Sequence, residues 1–296
     1  MTAARLRAWG AALALLAASA PAAAADGARA VRDLDMSGRA QRVLYLAPAA
    51  PRGVLVLLPG GSGNIGISPE GTLRHGENFL VRSRDAFLAA GYAVVIPDAV
   101  RPLAALSGKA GGSREEGTAS PRDGGDARGG ERPRRRGLRG LRAGAAYGEI
   151  VERLADFARE QAHRPVFLVG TSQGAIAAVN GAAHLGDAIA GLVLVSSVSR
   201  RGGSAETVFD AAPQAVTAAV LVLANQDDAC KVSPAADAGR IAAALTHAAR
   251  VDVVTLAGGT TAGPDCSARA PHGFAGIEAE AVGAIVRWLD ARLPPP

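Results

Sequence analysis

The chain has 296 residues, enough for one large α/β domain or two small ones; 49% are apolar but only 4% aromatic, so a core must be built mainly from Ala, Val, Leu and Ile. The net charge of +5 is uneven: residues 101–142 carry +6, Arg5 and Arg7 add two, and the remainder stands at −3. The basicity therefore belongs to one segment and gives no ground for a nucleic-acid-binding body.

The first 25 residues read as a secretory signal peptide. Arg5 and Arg7 form a positive start, residues 11–20 a short apolar core, and Ala23-Ala24-Ala25 a small-residue cleavage site before Asp26. The apolar core is too short to span a membrane. Export, most simply to a bacterial periplasm, is the expectation, with no membrane span after cleavage. In that oxidising setting the two cysteines, Cys230 and Cys266, are expected to form a disulfide.

Residues 26–296 read as a single domain. Residues 30–36 and 41–46 suggest an edge hairpin around Ser37-Gly38. Residues 54–58 are a continuous apolar run, the pattern of a strand covered on both faces, and lead into the glycine-rich 59–64. A helix is expected over 79–90 and a strand over 92–96. Residues 101–142 then break the pattern: they are rich in Gly and Arg and read as a disordered or poorly ordered insert. A flexible lid, a basic arm or a compensated frameshift would each give such a stretch.

Order resumes with a helix from about 143 that ends at His163-Arg164-Pro165. A strand over 166–169 and a helix over 173–185 enclose Gly170-Thr171-Ser172-Gln173-Gly174. Strands are expected over 191–196, 216–223 and 251–256. Ser233-Pro234 reads as a cap opening a helix to about 248, and 276–293 as the closing helix. Alternating strands and helices predict α/β architecture, a doubly wound and mostly parallel sheet. No Rossmann fingerprint or P-loop is present, so nucleotide binding is not expected.

The pentapeptide is a G-x-S-x-G. With 37 glycines in the chain it arises by chance in roughly one such sequence in four, so its context must carry the argument. A strand before it and a helix after it are the context of a nucleophile elbow. A serine hydroxyl needs a base within reach, and the base needs an acid to orient it. Of His75, His163, His184, His247 and His272, only His272 follows the last strand and precedes the last helix. The acid falls after the strand ending near 223, at Asp227 or Asp228.

The order Ser172, Asp227 or Asp228, then His272 after such an elbow resembles the α/β-hydrolase superfamily. The runs L-P-G-G-S-G-N at 58–64, N-F-L-V-R-S-R at 78–84 and N-Q-D-D-A-C at 225–230 are similar to exported bacterial members without an assigned substrate. The resemblance implies an α/β-hydrolase fold and a secreted serine hydrolase acting on a small-molecule carboxylic ester, with neither metal nor organic cofactor. It also implies an oxyanion hole made by the backbone N–H groups of Gln173 and Gly61, with Ser62 the alternative to Gly61. A thioesterase or amidase would use the same groups, and a non-catalytic binding protein could share the fold. The superfamily's frequent G-x-x-D after the strand ending near 223 implies Asp228 as the acid, with Asp227 the alternative, although Asn225 stands in place of the glycine; 101–142 matches nothing usual there.

Overall fold

A computed structural model describes residues 27–36, 39–102, 138 and 140–293. The expected signal peptide, the expected turn at Ser37-Gly38 and most of the Gly/Arg-rich segment lie outside the described residues. The sheet grows from strands that are apolar along their whole length. β3 (Gly53–Leu58), β4 (Tyr92–Pro97), β6 (Val166–Thr171), β7 (Gly191–Val195) and β8 (Val220–Asn225) are buried at every residue. They run parallel, as strands covered on both faces do. β9 (Val251–Leu256) closes one edge. β1 (Ala28–Asp35) and β2 (Arg39–Ala47) form the expected antiparallel hairpin at the other. The order is β1-β2-β4-β3-β6-β7-β8-β9, with the short β5 (Arg101–Pro102) pairing the start of β2.

Side chains alternate across the sheet, so each strand feeds two cores. Val54, Val56 and Leu58 join one core with α3 (Ala145–Ala162), α4 (Gln173–Leu185) and α5 (Ala238–Ala244). Leu55 and Leu57 join the other, with α1 (Phe79–Arg82), α2 (Arg84–Ala89) and α6 (Glu278–Asp290). α4 is almost wholly Ala, Gly and Val on its buried side. Small residues let it approach closely: a Cβ on Gly181 would run into Val151 of α3. After β3 the chain crosses to one face of the sheet; after β6 it crosses to the other. The loops at the carboxyl ends of β3 and β6 therefore part, and a crevice opens between them, where open α/β sheets hold their ligands.

Three elements depart from the sequence expectation. The helix over 79–90 is two helices, broken at Ser83, which caps both with φ −85° and ψ 0°. The strand expected from 216 begins at Val220, opposite Leu192 of β7. Pro234 is extended at ψ 140° rather than helical. A 3₁₀ turn at Ala235–Asp237 and then α5 replace the single helix to 248. Ser233 caps nothing there, because its hydroxyl is used elsewhere.

Candidate active site

Ser172 joins β6 to α4 in a conformation that non-glycine residues rarely adopt, φ 53° and ψ −122°. Its N–H is held by the carbonyl of Val195 at 2.9 Å. Such strain persists only where the surroundings impose it, and here both flanking glycines are required by contact. A Cβ on Gly170 would stand 2.5 Å from the carbonyl oxygen of Gly174; one on Gly174 would overlap the carbonyl of Leu58. Gly60, on the neighbouring loop, is required too: its Cβ would be 2.9 Å from Ser172 Cβ and from the carbonyl of Thr171. The turn is so tight that the side chain of Ser172 stands into the crevice rather than into either core.

Ser172 and His272 line the same cleft, about 320 Å³ in volume. His272 sits on a 3₁₀ turn, Pro271–Gly273, and its side chain is only 5% exposed. Its Nδ1 lies 2.8 Å from Oδ2 of Asp228. The other Asp228 oxygen, Oδ1, accepts the N–H of Cys230 at 2.8 Å. With Nδ1 turned to a carboxylate, Nε2 is the nitrogen left to accept a proton. Asp227 points elsewhere and accepts the N–H of Gly258 at 2.5 Å. The two adjacent aspartates thus have separate partners, and only Asp228 reaches the imidazole.

Three features hold the Asp228 and His272 loops together, and Arg82 braces the histidine turn from α1. The Cys230–Cys266 disulfide, with Cα atoms 4.7 Å apart, joins them covalently. The buried side-chain amide of Asn225 donates to the carbonyls of Gly258 and Pro271, both at 3.0 Å. The Asn that departs from G-x-x-D therefore ties the end of β8 to the histidine turn, which a glycine could not do. Arg82 of α1 donates to the carbonyl of Gly273 at 2.6 Å and to Glu278 at 2.9 Å. Ser233, 3% exposed, places its Oγ 3.0 Å from His272 Nδ1 and 3.3 Å from Asp228 Oδ2. In sequence it reads as a helix cap, and nothing short of the fold reveals its position.

Gly61 and Ser62 line the cleft opposite His272. Gly61 has φ +59°, and a Cβ there would meet nothing within 4 Å. Conformation, not crowding, is what calls for glycine at this position, and its backbone is open to the cleft. Ser62 Oγ accepts the N–H of Asn64 at 3.3 Å. The loop that follows is anchored by the buried Asp98, whose carboxylate accepts N–H groups of Ile65, Gly66 and Ile67 at 2.8–3.0 Å.

Gln173 opens α4, and its side chain has a partner the sequence did not disclose: Oε1 accepts Nη1 of Arg142 at 3.1 Å. Arg142 is 1% exposed and is the largest fully buried side chain among the described residues. The sequence reading placed it at the end of a poorly ordered insert. Among the described residues the ordered body instead includes Leu138, whose N–H meets the carbonyl of Ser62 at 3.1 Å, and Arg142. The insert's lack of periodicity conceals these two residues, because they pack as single side chains rather than as a helix face.

The other histidines fall into place. His163 is the left-handed cap of α3 at φ 49°, at the opposite end of β6 from Ser172. His184 pairs with Glu152 at 3.1 Å, and His247 with the carbonyl of Gln214 at 2.6 Å. His75, read from sequence as a polar loop residue, lines the cleft with Arg74, Glu77 and Asn78. Among the described residues one cluster has metal-ligand spacing, Asp228, Cys230 and His272. The Cys230 sulfur is already bonded to Cys266, so it is not a thiolate ligand.

No protein-family profile and no curated protein matches this sequence. Solved structures do. Dienelactone hydrolase from Anabaena variabilis superposes with a TM-score of 0.57 at 13% identity, over 90% of this chain and 99% of that one. Est1E from Butyrivibrio proteoclasticus, with ferulic acid bound, gives 0.57 at 12% identity over 88% and 98%. A cold-adapted esterase from an Arctic intertidal metagenomic library gives 0.52 at 17% identity over 89% and 93%. Similarity at this level of identity is similarity of architecture, and it agrees with strand order, crevice and elbow: the chain has the α/β-hydrolase fold.

Proposed function

We propose that this protein is an exported serine hydrolase that cleaves a small carboxylic ester through an acyl-enzyme on Ser172. One observation carries the reading. A serine held in a strained elbow shares a cleft with a histidine whose far nitrogen is 2.8 Å from a buried carboxylate. An ordinary strand–helix turn requires none of these features.

In the proposed reaction Ser172 Oγ attacks the ester carbonyl carbon while His272 Nε2 takes its proton. Asp228 holds the tautomer and stabilises the imidazolium. Negative charge forms on the carbonyl oxygen, and the N–H groups of Gln173 and Gly61 receive it. Collapse of the tetrahedral intermediate expels the alkoxide, which takes the proton from His272. Water, deprotonated by the same nitrogen, attacks the acyl-enzyme. A second collapse frees the acid and returns the proton to Ser172. The acyl-transfer steps need no group beyond these side chains and backbone amides. Hydrolase and esterase relatives in fold support the ester over other acyl compounds. The leader composition and the disulfide support export.

A fluorophosphonate probe tests the reading. The mature protein is expected to carry the adduct on Ser172. Labelling should vanish in Ser172→Ala and fall at least about a thousandfold in rate in His272→Ala. A folded wild-type protein that stays unlabelled, or is labelled on another residue, refutes it.

A further inference from the structure

The two N–H groups assigned to the oxyanion come from different segments. Gly61 lies on the loop after β3 and Gln173 at the start of α4. The β3–β6 ladder joins these segments only as far as Leu58 and Gly170. Beyond that pair the chains part towards opposite faces of the sheet. Two donors aimed at one oxygen must keep their separation to a fraction of an ångström. Contact alone, Gly60 against Ser172 and Gly174 against Leu58, brings the segments together there, and a directional bond across this seam would fix their register.

Arg142 spans it. One arm of its guanidinium donates to the side chain of Gln173 at 3.1 Å, the other to the carbonyl of Pro59 at 3.4 Å. Pro59 is two residues before Gly61. The loop also closes over the guanidinium: a Cβ on Gly63 would be 3.2 Å from Nη2. The base of the side chain is fixed in turn. The Arg142 N–H meets Glu206 Oε2 at 3.2 Å, and its carbonyl accepts Asn180 Nδ2 at 2.8 Å. Asn180 lies on α4, the helix that Gln173 begins. Arg142 is thus anchored to one segment at its backbone and joined to both at its tip.

Burying a guanidinium is costly, and an apolar side chain of similar length would fill the space at less desolvation penalty. A planar fork with donors at fixed angles is what a hydrocarbon, or a lysine, could not supply. We propose that Arg142 is a positioning residue for the oxyanion hole, holding the Gly61 and Gln173 amides in register across the crevice. This rests on the hydrolase reading above. It also gives the Gln173 side chain a role, as the handle by which the elbow is gripped.

The test compares Arg142→Met, Arg142→Lys and Gln173→Ala with wild type, using a short p-nitrophenyl ester and an alkyl boronic acid as tetrahedral mimic. Arg142→Met is expected to lower kcat about 10- to 100-fold, less than deleting a donor outright, with KM changed less than about threefold. Boronic acid affinity should fall by the same factor as kcat. The acid limb of the pH–rate profile, which belongs to the base, should not move. Arg142→Lys should recover little, since a single ammonium nitrogen does not reproduce the spacing of the two guanidinium arms that reach Gln173 and Pro59. Gln173→Ala, at a half-buried position that leaves the backbone intact, should show a smaller loss of the same kind. The double variant should be no worse than Arg142→Met alone, because both remove one linkage. Should Arg142→Met fail to fold, the Lys and Ala variants decide alone. A folded variant with wild-type kcat, a loss confined to KM, or additive losses in the double variant overturns the proposal. Unlabelled Ser172 in wild type overturns the hydrolase reading as well, and fluorophosphonate labelling separates the two failures.

Discussion

Asp227 and Asp228 are adjacent and chemically identical, and the fold assigns them unlike work. Asp228 faces His272 with a side chain only 2% exposed, while Asp227 sits at the surface and closes a turn onto Gly258. Asp228→Asn is expected to lower kcat about a thousandfold or more, since an amide favours the wrong imidazole tautomer. Asp227→Asn keeps an acceptor for the Gly258 N–H and should cost less than about 1 kcal/mol of stability, with kcat near wild type. Steady-state kinetics and a urea melt on the pair check this; equal losses would remove Asp228 from the role of acid. Ser233→Ala belongs to the same scale. Losing a hydroxyl 3.0 Å from Nδ1 should slow turnover roughly fivefold, the worth of one ordinary hydrogen bond. None of Ser233, His75 or Arg142 was legible as a site residue. Topology brings His75 to the cleft, Ser233 to the imidazole of His272 and Arg142 to the side chain of Gln173, and single-residue chemistry carries no trace of that.

Elements covered on both faces were legible nearly to the residue, because a buried parallel strand must be apolar throughout. β3, β4, β6 and β7 agree closely with their apolar runs, and α4 agrees at both ends because Ser172 and Gly186 cannot continue a helix. The failures lie where contacts from far along the chain overrule the local pattern. The expected 79–90 helix breaks beside Arg82, which is bound to Gly273 and Glu278. The Ser233 cap is lost to His272. The glycine loop divides the same way, and substitution can tell its members apart. Gly60→Ala forces a Cβ against Ser172 and should abolish most activity. Gly61→Ala has open space and faces only a left-handed φ, so it should fold with a penalty of about 1 kcal/mol. A Gly60→Ala enzyme as active as Gly61→Ala would contradict the packing at the elbow. The disulfide acts across elements. Its ring spans 36 residues, worth roughly 4 kcal/mol in the chain-entropy view. Replacing both cysteines with serine should lower the melting temperature by roughly 10 °C. It should also slow turnover, because the Cys230 N–H is what steadies Asp228 Oδ1.

At the scale of the molecule, the end of the sheet that carries Ser172 and His272 is braced by specific bonds, and the opposite edge has its own clamp. Asp252 at the start of β9 accepts Nε of Arg250 at 2.8 Å, Nε1 of Trp288 at 2.9 Å and Nη2 of Arg292 at 2.7 Å. It thereby fastens the last strand to the end of α6. The Arg250 bond leads in holding the Asp252 carboxyl at about 2, against an ordinary 3.8. Burial opposes it, while Trp288 and the charges of Arg250 and Arg292 reinforce it. Because the folded value lies below the unfolded one, this stabilisation is complete above about pH 4 and is lost as the pH falls towards 2. The Asp252 side chain is 23% exposed and its leading partner Arg250 70%, so solvent screening reduces the worth of the pair to about 1 kcal/mol. Asp252→Asn should therefore unfold at lower urea than wild type at pH 7. The gap should close as the pH is taken from 4 to 2, because protonation then removes from wild type what the substitution removed already. Turnover at pH 7 should be unaltered, since Asp252 lies at the end of β9 remote from His272. A stability gap that persisted at pH 2 would show that the amide disturbs packing rather than charge.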